Sequence, residues 1–182
     1  MCIRDRSKFA LDFPYNEFRA NAGMAGQPVV LRLQDKLHTW KDLRRIIPDM
    51  LAAGLAGYPY TCPDMIGGGD YISFQPGAEI DEKLIVRSCQ AHALMPMMQF
   101  SVAPWRVLSK ENMEICRKFA DLHKKFGTYI LELARHASKT GEPIVRYMEY
   151  EFPNQGFEEV KDQFMLCPKY LSLIHISEPT RP

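Results

Sequence analysis

The stretch from Gln27 to Asp35 reads Gln-Pro-Val-Val-Leu-Arg-Leu-Gln-Asp. The β-branched, apolar run from Gln27 to Leu33 predicts a buried strand, and Asp35 follows directly at its carboxyl end. Residues 40–56 come next, and their apolar side chains recur at helical spacing. Those side chains are Leu43, Ile46, Ile47, Met50, Leu51 and Leu55. The pair predicts a βα unit with Asp35 at the end of the strand where parallel α/β folds carry their sites.

The strand–helix alternation continues along the chain. A strand is predicted at residues 56–62, a helix at 81–90 and a further strand at 93–100. A long helix that Ser109 caps follows them. Pro48, inside the first helical segment, is predicted to kink that helix or to start it. Residues 143–152 alternate like a strand of another layer. This order favours an α/β fold with a parallel sheet.

The composition excludes several classes of protein. Among 182 residues, 23 are Lys or Arg and 22 are Asp or Glu, so the formal net charge is +1. Such a chain lacks the basic excess that a nucleic-acid-binding surface needs. No run approaches the roughly 18 apolar residues of a membrane span, so no membrane segment is predicted. The five cysteines show no CxxC spacing, which argues against a zinc ribbon and a dense disulfide framework.

The two ends of the sequence match one DNA string read on opposite strands. Residues 1–5 back-translate to ATG TGT ATA AGA GAC, and the reverse complement of the extended string encodes residues 171–176. The string is similar to a transposase end that is used to prepare sequencing libraries. We therefore expect residues 1–6 and 171–182 to derive from an adapter and the native part to be residues 7–170. No cellular location is predicted, because the native N-terminus would be missing.

Two aspartates stand out as candidates for chemistry. Asp35 lies between Arg32 and Lys36, so it could be a loop acid paired with one of these bases. It could equally be a general acid whose acidity is set by enclosure in a cleft. Asp64 could be a turn former before the glycines at 67–69, and that run lacks the Lys-Ser/Thr of a P-loop, which excludes nucleotide binding.

Other side chains carry weaker signals. Trp40 and Trp105 could be core residues, or they could offer flat faces that stack on a sugar ring. The histidines show no HExxH or other close metal-ligand spacing, so no metal site and no cofactor are predicted. Four cysteines are expected to be buried small hydrophobes, namely Cys62, Cys89, Cys116 and Cys167.

Several motifs in a fixed order resemble those of glycoside hydrolase family 31. The family has an Arg, an Asp sixteen residues later and a Trp five residues beyond it, and Arg19, Asp35 and Trp40 keep these spacings. Its next strand ends in Gly-x-Pro-Phe-x-x-x-Asp-Ile-Gly-Gly, to which residues 57–68 are similar. The segment from Gly141 onward is similar to the stretch that leads from the family's barrel into its C-terminal sandwich. The resemblance covers nearly all of the expected native part.

The resemblance implies a fold. It is an α/β fold in which residues 7–140 form the C-terminal part of a (β/α)8 TIM barrel, with its last strands and helices. Residues 141–170 then run into the start of a β-sandwich domain. A complete barrel takes about 250 residues. We therefore expect the chain to be a fragment that is poorly folded and inactive by itself, with the nucleophile upstream on an earlier strand.

The resemblance also implies a reaction, a retaining hydrolysis of α-linked sugars with an oligosaccharide or α-glycoside as substrate. Asp35 would be the acid/base, Arg19 would bind near the reacting centre, and Asp64 would hydrogen-bond ring hydroxyls. The other expected substrate-binding residues are Arg32, Trp40 and Gln99. No cofactor or metal is implied.

Departures from the family's α-glucosidases keep the substrate open. Residues 32–36, 63–68 and 95–101 most resemble one branch of the family. Gln99 and Ser101 replace an Arg-x-His that normally holds the sugar, so both an α-galactosidase and an α-glucosidase activity stay open. A sugar-binding protein with a decayed site, lacking one carboxylate, is the alternative from another class. An acid at position 35 favours the enzyme, because a pure binder needs none there.

Overall fold

A parallel sheet forms the first unit of the fold. The computed structural model describes residues 17–19, 23, 25 and 29–173. The strands lie in the order β1-β2-β3, and both neighbouring pairs are parallel. Their bounds are Glu17–Phe18 for β1, Val30–Arg32 for β2 and Thr61–Cys62 for β3. The predicted parallel sheet is therefore confirmed, and β1 adds a strand that the sequence pattern did not predict.

The strand predicted at residues 93–100 does not form, and that prediction is wrong. Ile66 and Phe100 make one isolated parallel bridge, which is the only pairing described for this segment. The backbone N–H of Met95 donates to the carbonyl three residues earlier (3.0 Å), so the end of the preceding helix continues as turns. Pro96 then has no N–H to give to a ladder. The apolar run is buried by packing, with the Met95 side chain 0% exposed, and not by strand pairing.

Four α-helices lie in the described part of the chain, and the first of them stands between β2 and β3. Their bounds are Trp40–Leu55 for α1, Glu82–His92 for α2, Lys110–Thr140 for α3 and Met148–Glu151 for α4. The side chain of Ser109 accepts from the Asn112 N–H, which confirms the predicted cap of α3. Thr39 caps α1 in the same way. Pro48 lies inside α1, so the alternative in which it starts that helix is wrong.

One hydrophobic cluster joins the helices to the strands. Helix α1 buries the apolar stripe that its spacing predicted, and Leu55, the last of the predicted positions, is 58% exposed. The stripe packs against the carboxyl half of α3 and against the later strands, where Phe164 and Leu166 are 0% exposed. Among the described residues, no helix is both long and apolar enough to span a membrane.

A second, antiparallel sheet has the order β4-β5-β6. Its strands are Val145–Arg146, Gln163–Leu166 and Tyr170–Leu173. The strand predicted at residues 143–152 is much shorter than expected, because helix α4 begins at Met148. Residues 171–173 of β6 fall in the stretch that the sequence analysis expects to derive from an adapter.

Candidate active site

Polar side chains gather where neighbouring strands end. Arg19 directly follows β1, Asp35 comes shortly after β2, and Asp64 comes shortly after β3. Gln99 and Ser101 flank the bridge that Phe100 makes beside them. Because parallel strands bring their carboxyl ends to one edge, residues far apart in the sequence meet here.

Two arginines hold the Asp35 carboxylate. Arg19 donates from Nη1 to Oδ2 (2.8 Å) and from Nη2 to Oδ1 (2.7 Å), and Arg32 donates from Nη2 to Oδ1 (2.7 Å). A bidentate pair fixes the orientation of a carboxylate as well as its charge. The same hydrogen bonding to Asp35 raises the pKa of Arg19. The Asp35 side chain is still 40% exposed, so it is an oriented carboxylate that solvent or a ligand can reach.

The two bases that flank Asp35 in the sequence have different partners. Arg32 pairs with Asp35, as the loop-acid interpretation expected. Lys36 does not, because its side chain is buried and its Nζ lies 3.1 Å from Oδ2 of Asp49 on α1. A buried ammonium needs such a partner. The lysine therefore anchors the loop that follows β2 to the helix behind it.

Asp64 is fully buried and hydrogen-bonds to the loop that follows β2 and to the loop that follows β3. Its Oδ2 accepts from the backbone N–H of Lys36 (2.7 Å) and of Gly69 (2.9 Å), and its carbonyl oxygen lies 3.1 Å from Nε2 of His92. Burial raises the pKa of its carboxyl. Its φ is 124°, a conformation that side chains rarely adopt and that the surrounding bonds must hold in place. Its other oxygen, Oδ1, has no hydrogen-bond partner among the described residues.

The glycines after Asp64 allow the loops to approach the two carboxylates. A Cβ at Gly69 would lie 2.5 Å from Oδ1 of Asp35 and 2.7 Å from Oδ1 of Asp64. A Cβ at Gly68, where φ is +97°, would lie 2.5 Å from the Lys36 carbonyl oxygen. Gly69 therefore lies against both carboxylates, and nothing larger than glycine fits there without displacing them.

His38 and Trp40 hydrogen-bond to residues that follow β3 in the sequence, Gly67 and Asp81. Nδ1 of His38 lies 3.0 Å from the Gly67 carbonyl oxygen, and Nε2 accepts from the Asp81 N–H (3.1 Å). The ring is therefore neutral with its proton on Nδ1, and burial lowers its pKa. The indole N–H of Trp40 donates to Oδ2 of Asp81 (2.9 Å), and its ring packs on the hydrophobic cluster.

The residues on either side of the Phe100 bridge have partners of their own. Nε2 of Gln99 donates to Oε1 of Glu17 (2.6 Å), which joins the segment at the Phe100 bridge to the start of β1. The Ser101 hydroxyl donates to the Gly68 carbonyl. Trp105 is 73% exposed, so the interpretation of this residue as part of the core is wrong.

Three residues of this region were not singled out from the sequence. Glu17 holds Gln99, Lys36 anchors the β2 loop, and His92 contacts the carbonyl of Asp64. Only the position of Lys36 next to Asp35 gave a signal, and it predicted a different partner. Within residues 29–173 and the described positions before them, no group of three or more potential ligands could hold a metal ion.

Comparison with known proteins assigns this arrangement to a family. A sequence profile of the TIM-barrel domain of glycosyl hydrolases family 31 matches residues 19–133, more than half of the chain. The chain belongs to this family. The myogenesis-regulating glycosidase of Mus musculus is 35% identical over 144 residues, which cover 74% of this chain and 20% of that protein. The SITS-binding protein of Tetronarce californica is 29% identical over 148 residues, covering 79% and 21%.

Solved structures agree with the assignment. The cycloalternan-degrading enzyme of Trueperella pyogenes superposes on this family 31 chain with a TM-score of 0.74 and 22% identity, covering 89% of it and 24% of the enzyme. At that identity the likeness shows the fold. The family predicted from the motifs, the branch that includes the mouse glycosidase and the TIM-barrel domain are confirmed. The chain spans about a fifth of the length of the curated relatives that it matches.

Proposed function

We propose that the protein containing this chain is a retaining α-glycoside hydrolase and that Asp35 is its acid/base. The observation that carries the proposal is the Asp35 carboxylate, which is oriented by two arginines at a strand end yet remains 40% exposed. In the first step, its carboxyl group protonates the departing glycosidic oxygen. In the second step, its carboxylate takes a proton from the water that attacks the anomeric carbon.

Arg19 and Arg32 are proposed to hold Asp35 in its two forms, the carboxylate that acts as the base and the carboxyl group that acts as the acid. In the described state, both carboxylate oxygens accept from guanidinium groups, which is the arrangement of the base. Oδ2 is held by Arg19 alone, and the Arg19 side chain is 56% exposed. Oδ2 is therefore the atom that carries the proton when Arg19 turns toward the substrate, while the buried Arg32 keeps Oδ1 in place.

Asp64 and Gln99 are proposed to bind the sugar together with Trp40. Oδ1 is the Asp64 oxygen without a hydrogen-bond partner among the described residues, so it is proposed to accept from a ring hydroxyl. Gln99 has a second amide donor beyond the one given to Glu17. The sugar itself is proposed to be galactose or glucose, in line with the motifs.

The nucleophile is proposed to be a second carboxylate outside the described residues. Retaining enzymes keep their two carboxyl groups about 5–5.5 Å apart. Asp64 is close to Asp35 but is a poor nucleophile, because it is fully buried and two backbone N–H groups hold its Oδ2. In the same proposal, the parallel unit is the C-terminal part of the barrel within residues 7–140. The antiparallel strands β4 and β5 then begin the sandwich in residues 141–170, and residues 1–6 and 171–182 are proposed to derive from an adapter.

The test is the substitution Asp35→Asn in the full-length protein. For substrates with a poor leaving group we expect kcat/KM to fall by about 10²–10⁴, and much less for activated aryl glycosides that need no proton. The matched control is Asp121→Asn, an exposed aspartate on α3, which should change neither rate. Equal losses on both substrates would contradict the acid/base role.

A sugar-binding protein with a decayed site is the second candidate. It is favoured by one observation: among the described residues at the strand ends, Asp35 is ion-paired and Asp64 is buried, so this part of the chain offers no free second carboxylate. Calorimetry with galactose and glucose distinguishes the two. Binding by the full-length protein without turnover of either activated glycoside would favour the binder.

A further inference from the structure

Two of the four described cysteines lie against each other between helices α2 and α3. Sγ of Cys89, on α2, donates to the carbonyl oxygen of Cys116, on α3, at 3.6 Å. Cys89 is 0% exposed and Cys116 is 1% exposed. Both belong to a second hydrophobic cluster, which also contains Ile66 and Ile85. Two thiols that are 27 positions apart in the sequence are therefore neighbours in a buried, apolar environment.

Helices α2 and α3 run side by side in the same direction, and Glu82 holds them in register. Oε2 of Glu82, at the start of α2, accepts from the N–H (2.9 Å) and the hydroxyl (2.8 Å) of Ser109, which caps α3. Cys89 comes about two helical turns after Glu82, and Cys116 comes about two turns after Ser109. The contact between the two cysteines therefore follows from the register that Glu82 fixes.

The two helices also stay together beyond the cysteines. Directly after α2, the carbonyl oxygen of Ala93 lies 3.1 Å from Nδ1 of His123 on α3. Contacts on both sides of Cys89 and Cys116 thus hold the two backbones next to each other. A disulfide bond requires cysteine backbones that are already close, because its bond lengths and torsion angles are specific. The fold therefore presents these two sulfurs to each other.

The two thiols are chemically unequal. The hydrogen bond that Cys89 gives to the ionised Cys116 lowers the pKa of Cys116, and the same bond raises the pKa of Cys89. The thiolate is the nucleophile in exchange with a disulfide. Cys116 is therefore the sulfur that attacks first, and Cys89 keeps its proton until the second step.

Cys62 and Cys167 lack such a neighbour. Sγ of Cys62 lies 3.8 Å from the carbonyl oxygen of Asp64, and burial raises its pKa to about 12. Burial also raises the pKa of Cys167. Within the described part of the chain, no other cysteine contributes to the pKa of either thiol. These two buried cysteines are expected to stay reduced, so they serve as internal references.

We propose that Cys89 and Cys116 form a disulfide bond between α2 and α3 by exchange with a small disulfide of the glutathione class. In the first step, the Cys116 thiolate attacks one sulfur of oxidised glutathione. The S–S bond breaks, and one glutathione thiolate leaves and takes up the proton that Cys116 gave up. In the second step, Cys89 attacks the Cys116 sulfur, and its proton goes to the second glutathione thiolate that it displaces. Two cysteine thiols are oxidised, and one glutathione disulfide is reduced to two thiols.

The exchange takes place while the chain folds or when the two helices open locally, because both sulfurs are buried in the folded state. The bond closes a loop over residues 89–116, which includes Gln99 and Ser101 of the candidate site. Such a cross-link stabilises a protein mainly by restricting its unfolded chain. The disulfide thus secures the segment that supplies these two residues, and the inference does not depend on the proposed glycosidase function.

The experiment makes the full-length protein by cell-free synthesis, once with oxidised glutathione and once with a phosphine reductant. Free thiols are blocked with N-ethylmaleimide in denaturant, and disulfides are then reduced and labelled with iodoacetamide for peptide mapping. With oxidised glutathione, we expect Cys89 and Cys116 to lose the first label and carry the second. An unreduced digest should contain a peptide that joins them. Cys62 and Cys167 should carry the first label in both preparations.

Serine variants separate the two steps of the exchange. In Cys89→Ser the second step is impossible, so Cys116 should retain glutathione as a mixed disulfide. In Cys116→Ser the attacking thiolate is missing, so Cys89 should stay free and take the first label. Cys62→Ser is the matched control, because it removes a buried thiol outside the pair, and the peptide that joins Cys89 to Cys116 should persist.

The mapping of the unsubstituted protein is decisive, so it does not depend on how well a variant folds. If Cys89 and Cys116 carry the first label to the same extent as Cys62 in the oxidised preparation, the proposal is overturned. A disulfide that joins either of them to a different cysteine also overturns it. Glutathione on Cys89 in Cys116→Ser, with none on Cys116 in Cys89→Ser, overturns the assignment of Cys116 as the attacking sulfur.

Discussion

The substitution Gly69→Ala tests the geometry of the site with one added methyl group. The Cβ would lie 2.5 Å from Oδ1 of Asp35 and 2.9 Å from its Cγ, whereas ordinary contact begins at 3.4 Å. The Asp35 oxygen must therefore retreat by about 0.9 Å, which is the difference between 2.5 and 3.4 Å. The same Cβ would lie 2.7 Å from Oδ1 of Asp64, so the second carboxylate is also too close to it.

This displacement has a cost for both stability and catalysis. Oδ1 of Asp35 accepts from Arg19 and from Arg32 at 2.7 Å, and a shift of this size takes at least one of these bonds beyond the hydrogen-bond limit. We expect the overpacking to destabilise the protein by about 1–3 kcal/mol. Misplacement of a catalytic group by about 1 Å should lower kcat/KM about 10²-fold.

The assay measures kcat/KM on an aryl α-glycoside and the melting temperature of the full-length protein. Gly127→Ala is the matched control, because a Cβ there meets nothing within 4 Å and the residue lies inside helix α3. That control should keep full activity and gain about 0.5–1 kcal/mol of stability from helix propensity. Wild-type activity and melting temperature in Gly69→Ala would refute the close approach of Gly69 to the two carboxylates.

Two further predictions concern the support of the site. His92 is fully buried and burial lowers its pKa to about 4, so the unfolded chain binds a proton that the folded chain does not as the pH falls below about 6.5. Stability should decline from pH 6.5 toward 4, and His92→Gln should flatten this decline whereas the exposed His136→Gln should not, as urea unfolding at several pH values will show. Ser109→Ala should cost about 1 kcal/mol because it removes the cap on the Asn112 N–H. Ser138→Ala in the last turn of the same helix should cost little, and equal losses in thermal melts would contradict the capping role.

Local patterns in the sequence predicted the elements whose stability is local. The apolar spacing of α1 and the Ser109 cap of α3 need only nearby residues, and both predictions are confirmed. The strand predicted at residues 93–100 failed because an apolar run reports burial and not strand pairing. Strand β1 is two residues long, which is too short for any periodicity to reveal.

The sequence likewise predicted some features of the candidate site and not others. The motif spacing of Arg19, Asp35 and Asp64 pointed to the strand ends, and the structure brings these residues together there. The sequence also established the family, because an ordered set of motifs is far more specific than any single one. It could not establish which base pairs with which acid, since Lys36 turns to Asp49 on α1 instead of to its neighbour.

Only the tertiary structure decided the burial of Asp64 and the contacts at Gly69. Each of these depends on distances between loops that follow different strands, with Lys36 and Asp64 separated by 28 positions and Gln99 and Glu17 by 82. Sequence spacing sets what a residue can reach within its own helix or strand. The packing of strands side by side sets which loops meet, and the order of the sheet is a property of the whole fold.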